Sequence, residues 1–152
     1  GDLEDEPVDG RMVLEAAYSE ENRRRIDWLF EHDAHDLPNS ERPRCHQDGT
    51  TYASVYGRMY QDRPAPTITT GFMTPGRGRY IHPTRRRTLT PHEAARLQGL
   101  PDWYDFPPYP ERVSSKAQLG KWIGDAVPMP LGFVAGLAVL GGDSPWAPPR
   151  LS

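Results

Sequence analysis

The sequence contains a single cysteine, Cys45, and only two lysines among its 18 basic residues. One thiol cannot close an internal disulfide, so a disulfide-stapled secreted scaffold is excluded and a reducing, cytoplasmic setting is expected. Long apolar runs are also scarce. The longest, Leu131 to Leu140, falls well short of the about 20 residues that cross a bilayer, so no membrane partner is expected. Neither a signal peptide nor a basic amphipathic presequence opens the chain. A first residue of Gly1 rather than Met suggests a processed or engineered piece, or one part of something larger.

What the chain does have is punctuation. Its 152 residues include 17 prolines and 14 glycines, which favour turns and leave room for few long helices. The net charge of -3 conceals an uneven distribution: residues 1–50 carry a net -8, residues 51–100 a net +6 and residues 101–152 a net -1. Sixteen of the 18 cations are arginine, whose planar donor fork suits phosphate and guanine edges better than an ammonium does. Nucleic acid is therefore a reasonable partner. Composition alone leaves open the plainer alternative that these arginines pair with the acidic first third.

The acidic leading segment, 1–18, with Pro7 and Gly10, has no assignable element. Ser19 can cap a helix over Glu20 to Asp33, with Ile26, Leu29 and Phe30 as an apolar stripe widened by Trp28. Asp36 to Gly49 has loop chemistry. Three β-branched and aromatic runs follow, Thr51–Tyr56, Thr67–Phe72 and Arg79–His82, separated by Gly and Pro; they are expected as strands. The loop Thr74-Pro75-Gly76-Arg77-Gly78-Arg79 joins backbone freedom to two guanidiniums that can approach a phosphate. Thr90-Pro91-His92-Glu93 starts a second helix with a capping box and Pro at its first position, running to about Gln98. A similar box, Ser115 with Gln118, begins a third, with Leu119, Trp122 and Ile123 on one face before Gly124. Residues 131–140 form a fourth helix that is apolar all round and must be covered on all sides. Residues 141–152, with three prolines, read as a tail.

Two segments carry a resemblance. Arg87-Thr-Leu-Thr-Pro-His-Glu-Ala-Ala-Arg-Leu-Gln-Gly-Leu-Pro-Asp102 resembles the ninth conserved motif of DNA (cytosine-5) methyltransferases, and Ile123-Gly-Asp-Ala-Val-Pro128 resembles the tenth. Tyr56 to Phe72 resembles the end of that family's target-recognition region, where a Thr followed by a branched apolar residue lies at the DNA. The family's nucleophile motif Pro-Cys-Gln, its Glu-Asn-Val and its donor-binding Phe-x-Gly-x-Gly do not occur in this sequence. Nor does Gln-x-Arg-x-Arg. Cys45 stands in Arg-Pro-Arg-Cys-His, which is not the nucleophile's setting, so no catalytic residue is assigned.

The resemblance implies a C-terminal portion of such an enzyme. It would methylate C5 of cytosine in duplex DNA from S-adenosylmethionine only together with a catalytic half on a split subunit or in a separated segment. The expected fold is α+β: a mostly-β recognition region over 19–86 with flanking helices, then 87–140 packing on an α/β catalytic domain supplied by that other polypeptide. Arg58, Thr67, Ile68, Arg77, Arg79, Arg85, Arg86 and Arg87 are the expected DNA contacts. Gly124, Asp125, Ala126 and Val127 are the expected donor contacts, although Asp125 replaces the usual Asn and can only accept when ionised. Glu93 and Arg96 are read as a cap and a clamp. The alternative is a non-enzymatic DNA-binding or interaction module descended from such an enzyme. His32, His35, Cys45 and His46 have zinc-ligand chemistry, but the resemblance requires no metal there and the adjacent Cys-His pair makes poor tetrahedral geometry.

Overall fold

A computed structural model describes residues 12–47, 54–104, 106 and 116–140. Four α-helices form among the described residues: α1 Glu20–Glu31, α2 Pro91–Leu97, α3 Lys116–Asp125 and α4 Met129–Leu140. Single 3-10 turns lie at Asn39–Glu41, Arg44–His46 and Pro75–Arg77. The helix ends follow local chemistry. Ser19 accepts from the Asn22 N–H at the start of α1, and Thr90 with Glu93 closes the capping box of α2. Both helices stop in the same way. The C′ residue takes a left-handed backbone, Asp33 at φ 45 and Gly99 at φ 78, and the next N–H reaches back, Ala34 to Leu29 O at 2.8 Å and Leu100 to Ala95 O at 3.0 Å.

The expected strands are absent among the described residues, and this corrects the α+β reading. Among the described residues only isolated bridges occur, Arg58 with Ile81 and Ile81 with Thr88. Around Tyr56 and Ile81 the backbone makes only isolated long-range bonds, among them Tyr56 N–H to Pro75 O and Ile81 N–H to Gly57 O, too few for a ladder, and after Thr67 the donors are spent locally. Phe72 donates to Thr69 O, Thr74 to Gly71 O and Arg77 to Thr74 O, consecutive turns that a ladder cannot accommodate. Pro64, Pro66, Pro75 and Pro83 contribute no N–H at all. The segment expected as a recognition region is thus wrapped and turn-rich, and is held by helices. Thr51–Ala53 of the first expected strand, the Ser115 cap, residues 1–11 and the tail 141–152 lie outside the described residues.

Two apolar clusters hold the chain together. In one, Ile26 and Leu29 of α1 meet Leu37, Val55, Tyr56 and Ile81. In the other, Ile68, Phe72, Tyr80 and Leu89 of the wrapped segment meet Ala94 and Ala95 of α2 and Leu119 and Ile123 of α3. Residues 12–18 carry no regular element, yet Met12 joins this second cluster and the Tyr18 hydroxyl accepts from the Thr88 N–H at 2.8 Å. The two faces of α3 do different things. Its apolar side enters the core, while Gly120 and Gly124 let it lie on the backbone of Thr69–Thr70: a Cβ on Gly124 would stand 2.2 Å from Thr70 N.

Helix α4 is exposed, with Leu131, Phe133 and Val139 open to solvent. Taken together, Ala117–Val139 has the length and apolar composition to cross a membrane. The helices are nonetheless separate, broken at residues 126–128, and α3 is anchored in the core by fully buried Ile123. Extracting it into lipid would dismantle that core.

Gly124→Ala is expected to cost about 1–3 kcal/mol of stability through overpacking against fixed backbone. Gly136→Ala in α4, where an added Cβ meets nothing within 4 Å, should be neutral or stabilising by up to about 1 kcal/mol. Urea unfolding midpoints of the two variants against the unmodified chain check this contrast.

Candidate functional site

The basic turn 82–87 is organised by one forked ion pair. Arg87, whose side chain is 6% exposed, donates from both terminal nitrogens to the two carboxylate oxygens of Glu93, each at 2.7 Å. It also donates to Thr88 O at 2.9 Å. Its Nε lies 3.0 Å from Glu15 Oε1 but is not aligned for a hydrogen bond, so that contact is Coulombic. Glu93 accepts in addition from the Thr90 N–H at 2.9 Å. Burial alone would raise the Glu93 pKa; the Arg87 and Thr90 hydrogen bonds and the nearby positive charge outweigh it and hold the carboxyl at about 2.

His82 shapes the same turn. Its Nδ1 accepts from the backbone N–H groups of Thr84 and Arg85, both at 3.1 Å, which requires the neutral ring with its proton on Nε2, facing Glu93 Oε1 at 3.6 Å. Burial pushes the His82 pKa down, Glu93 opposing and Arg87 and Arg85 assisting.

The other expected DNA contacts divide into clamped and free. Arg58 donates to Pro83 O at 2.8 Å and to Asp33 at 3.1 Å, with its guanidinium 4.3 Å over the Phe30 ring. Arg79 donates to His35 O at 2.8 Å and to Asp36 at 2.6 Å. Arg86 reaches Asp27 at 2.9 Å. All these carboxylates come from the acidic first third, so the plainer pairing that composition left open is what these arginines do. Ile68 is buried in the core. Thr67, Arg77 and Arg85 are exposed, and the side chains of Arg77 and Arg85 meet no carboxylate among the described residues.

On the donor side, the turn Gly124–Val127 is held from behind. Gly124 faces Thr69–Thr70, so its missing Cβ serves helix-to-loop contact rather than approach to a ligand. Asp125 and Val127 are exposed, and Lys121 Nζ lies 2.5 Å from the Asp125 carboxylate. An open cleft of about 830 Å³ runs from Thr70, Thr74 and Arg77 to Lys121 and Asp125. For S-adenosylmethionine, the donor that the resemblance implies, the turn offers one open edge and not a complete pocket: Asp125 lines the cleft and Val127 is exposed.

Sequence reasoning missed Gln98. Its amide nitrogen donates to Ile123 O at 2.9 Å and to Ala126 O at 3.2 Å, tying the end of α2 to the expected donor turn. The only signal for it was a polar residue at the helix stop between Leu97 and Gly99. Arg96, expected as a clamp on the recognition region, donates from Nε to Asp102 at 2.6 Å, a contact within the segment that follows α2. Among the histidines weighed for zinc, His32 Nδ1 is 2.8 Å from Trp28 O and His35 Nδ1 is 3.1 Å from Arg58 O. Cys45 is exposed.

Comparison with known proteins places these features in context. A family model for C-5 cytosine-specific DNA methylases matches residues 3–139. The chain is 47% identical to the Type II methyltransferase M1.BsuMI of Bacillus subtilis (strain 168), over 90% of this chain and 31% of that protein. It is 43% identical to the Type II methylase M.HgiDII of Herpetosiphon aurantiacus, over 65% of this chain and 28% of that protein. It is 34% identical to DNA (cytosine-5)-methyltransferase 1 of Mus musculus, over 58% of this chain and 5% of that protein. The chain thus spans less than a third of the length of these relatives.

Acid should unfold the chain in two stages. The His82 contribution is fully present above pH 6.5, the ordinary value from which it is depressed, and is lost as pH falls through its lowered pKa. The Glu93 contribution is fully present above about 4.5 and is lost as pH falls towards about 2. Glu93→Gln should shrink the lower stage to what Asp102 contributes, its carboxyl also being held at about 2 by the Arg96 hydrogen bond, and, by leaving the Arg87 charge short of its forked partner, cost about 3 kcal/mol at neutral pH. Urea midpoints measured from pH 8 to pH 2 on both proteins check this; an unchanged acid limb in the variant would refute it.

Proposed function

Because the chain belongs to the C-5 cytosine-specific DNA methylase family, we propose that it is the DNA-recognition and closing part of a DNA (cytosine-5) methyltransferase. On this reading it acts with a catalytic part, on a split subunit or in another segment of the same enzyme, that bears the cysteine loop and the main donor-binding loop. The observation that carries it is the exposed apolar helix α4, directly beyond the turn that resembles the tenth motif. A helix of that composition is stable only when covered, and a catalytic polypeptide seated there would meet the Gly124–Val127 edge. The coverage of under a third of the first relatives agrees, as does the absence of the nucleophile motif from this sequence.

Each side of the chain then has a task. The wrapped segment 54–89 presents Thr67, Arg77 and Arg85 to duplex DNA. Arg58, Arg79, Arg86 and Arg87 keep that surface in shape, because their guanidiniums are committed to carboxylates and carbonyls. Asp125 and Val127 border the donor, which supplies the methyl group when bound, and the Asp125 carboxylate offers a counter-charge to its positive groups while Lys121 moderates that charge. The setting is cytoplasmic, as for a modification enzyme acting on cellular DNA. Asp125 in place of Asn favours a second reading, a DNA-binding module that no longer contacts a donor.

Mixing the chain with a polypeptide carrying the missing motifs and following tritiated methyl incorporation into DNA tests the first reading. Incorporation by the mixture and none by either part alone is the expected result; association without incorporation supports the second reading. In fluorescence anisotropy with duplex DNA, Arg77→Ala and Arg85→Ala should each weaken binding similarly across sequences and lower the log–log salt slope by about 1. Arg58→Ala should instead act mainly through lost stability, visible as a lower melting temperature.

A further inference from the structure

The end of α2 and the turn after α3 come from segments 25 residues apart that meet at one buried side chain. Gln98 is 6% exposed, and both protons of its amide nitrogen are committed, one to Ile123 O at 2.9 Å and one to Ala126 O at 3.2 Å. These carbonyls lie where α3 ends and the regular helical donors run out, although Ile123 O still accepts from the Ala126 N–H at 3.3 Å. A side-chain amide reaching in from a neighbouring helix adds a donor to both and fixes the angle at which the chain leaves α3. Residues Gly124 to Val127 lie within and directly beyond that exit.

From this geometry we propose that Gln98 is a positioning residue for the donor edge. By holding the carbonyls of Ile123 and Ala126, it fixes the direction in which Asp125 and Val127 face the donor. The proposal rests on the functional reading above for the identity of the ligand. The placement of Gln98 itself rests only on its two hydrogen bonds. Its chemistry is specific: two acceptors converge on one nitrogen, so an amide of this length is required. Methionine fills the same space and donates nothing. Glutamate has the same length and presents oxygen to oxygen.

The position is clamped from a second side. Gly124 lies on the Thr69–Thr70 backbone, so the turn is gripped between α2 and the wrapped segment, and releasing Gln98 frees only the side nearest Ala126. The consequence is local: donor affinity should change, while the DNA-facing residues Thr67 and Arg85, which lie outside the cleft bordered by Lys121 and Asp125, keep theirs.

The test compares Gln98→Met with Ile26→Val, a change in the other apolar cluster chosen to lower the melting temperature by a similar amount. In the chain alone, amide hydrogen exchange at Ala126, whose N–H donates to Ile123 O at 3.3 Å, should accelerate at least about tenfold in Gln98→Met and remain unchanged in Ile26→Val. In the chain paired with the catalytic polypeptide, calorimetry with S-adenosylmethionine should give a donor Kd about tenfold weaker for Gln98→Met. The donor KM should rise while kcat is retained, and DNA affinity should stay within twofold of the unmodified pair. Gln98→Glu should be worse than Gln98→Met. If the unmodified pair binds the donor and Gln98→Met binds it equally well, the assignment is wrong while the functional reading stands. The assignment is equally wrong if Ile26→Val weakens donor binding as much as Gln98→Met does. An unmodified pair that associates but binds no donor overturns both together.

Discussion

The forked contact between Arg87 and Glu93 is the constraint on which the rest of the described chain depends. It spans six residues, yet it joins three kinds of structure: the basic turn 82–87, the N-terminus of α2 and, through Glu15, the leading segment. Arg87 is almost fully enclosed, so its charge must be met where it stands. Glu93 meets it while also serving as the acidic arm of a capping box. One carboxylate therefore neutralises a buried cation, satisfies an orphan N–H and complements the helix dipole. Each role fixes its position for the other two, which explains how a helix of seven residues, too short to persist alone, anchors both neighbouring segments.

The remaining arginines extend the same logic outward. The acidic first third and the basic middle third close on each other: Asp33 on Arg58, Asp36 on Arg79, Asp27 on Arg86. These contacts are partly exposed, and pairs of that kind add little stability individually. Their effect is on shape and on charge. They neutralise much of the positive middle region and leave Arg77 and Arg85 standing out as exposed cations on a surface whose backbone is already held. The proposed DNA-binding face is thus narrower than the count of arginines suggests, and more rigid, because its neighbours are fixed by carboxylates and do not move to meet a phosphate.

Much of this is legible in the sequence, and the division follows the range of the forces involved. Helix starts at Ser19 and Thr90, the stop at Gly99 and the amphipathic face of α3 are written within a few residues of where they act, and all appear as expected. The strands do not, because side-chain preference and backbone hydrogen bonding disagree. Thr67 to Phe72 has the β-branched composition of a strand, but its donors are consumed by turns and the prolines around it offer none. Composition likewise could not choose between phosphate and carboxylate as partner for Arg58 or Arg79, since that choice is made by residues 25 and 43 positions away. Gln98 was invisible for the same reason: its two acceptors are brought to it by the fold.

The contrast between α3 and α4 bears on what covers the C-terminal end. Helix α3 has a polar side carrying Lys121 and Asp125 and an apolar side already satisfied by the core. Helix α4 has no such division; its apolar residues surround it, and Leu131, Phe133 and Val139 lie open. Lipid is a poor solution, because the break at 126–128 exposes backbone and the carbonyl of Ala126 is tied to Gln98 at the core's edge, where a bilayer would demand continuous internal hydrogen bonding. A second protein surface meets the requirement without moving α3. On the reading proposed above, such a surface also gives a reason for the turn between the two helices to be braced by Gln98 on one side and by Thr69–Thr70 on the other. A rigid hinge point lets a docking helix carry its binding energy into the position of Asp125 and Val127, whereas a loose one would dissipate it in disorder of the chain.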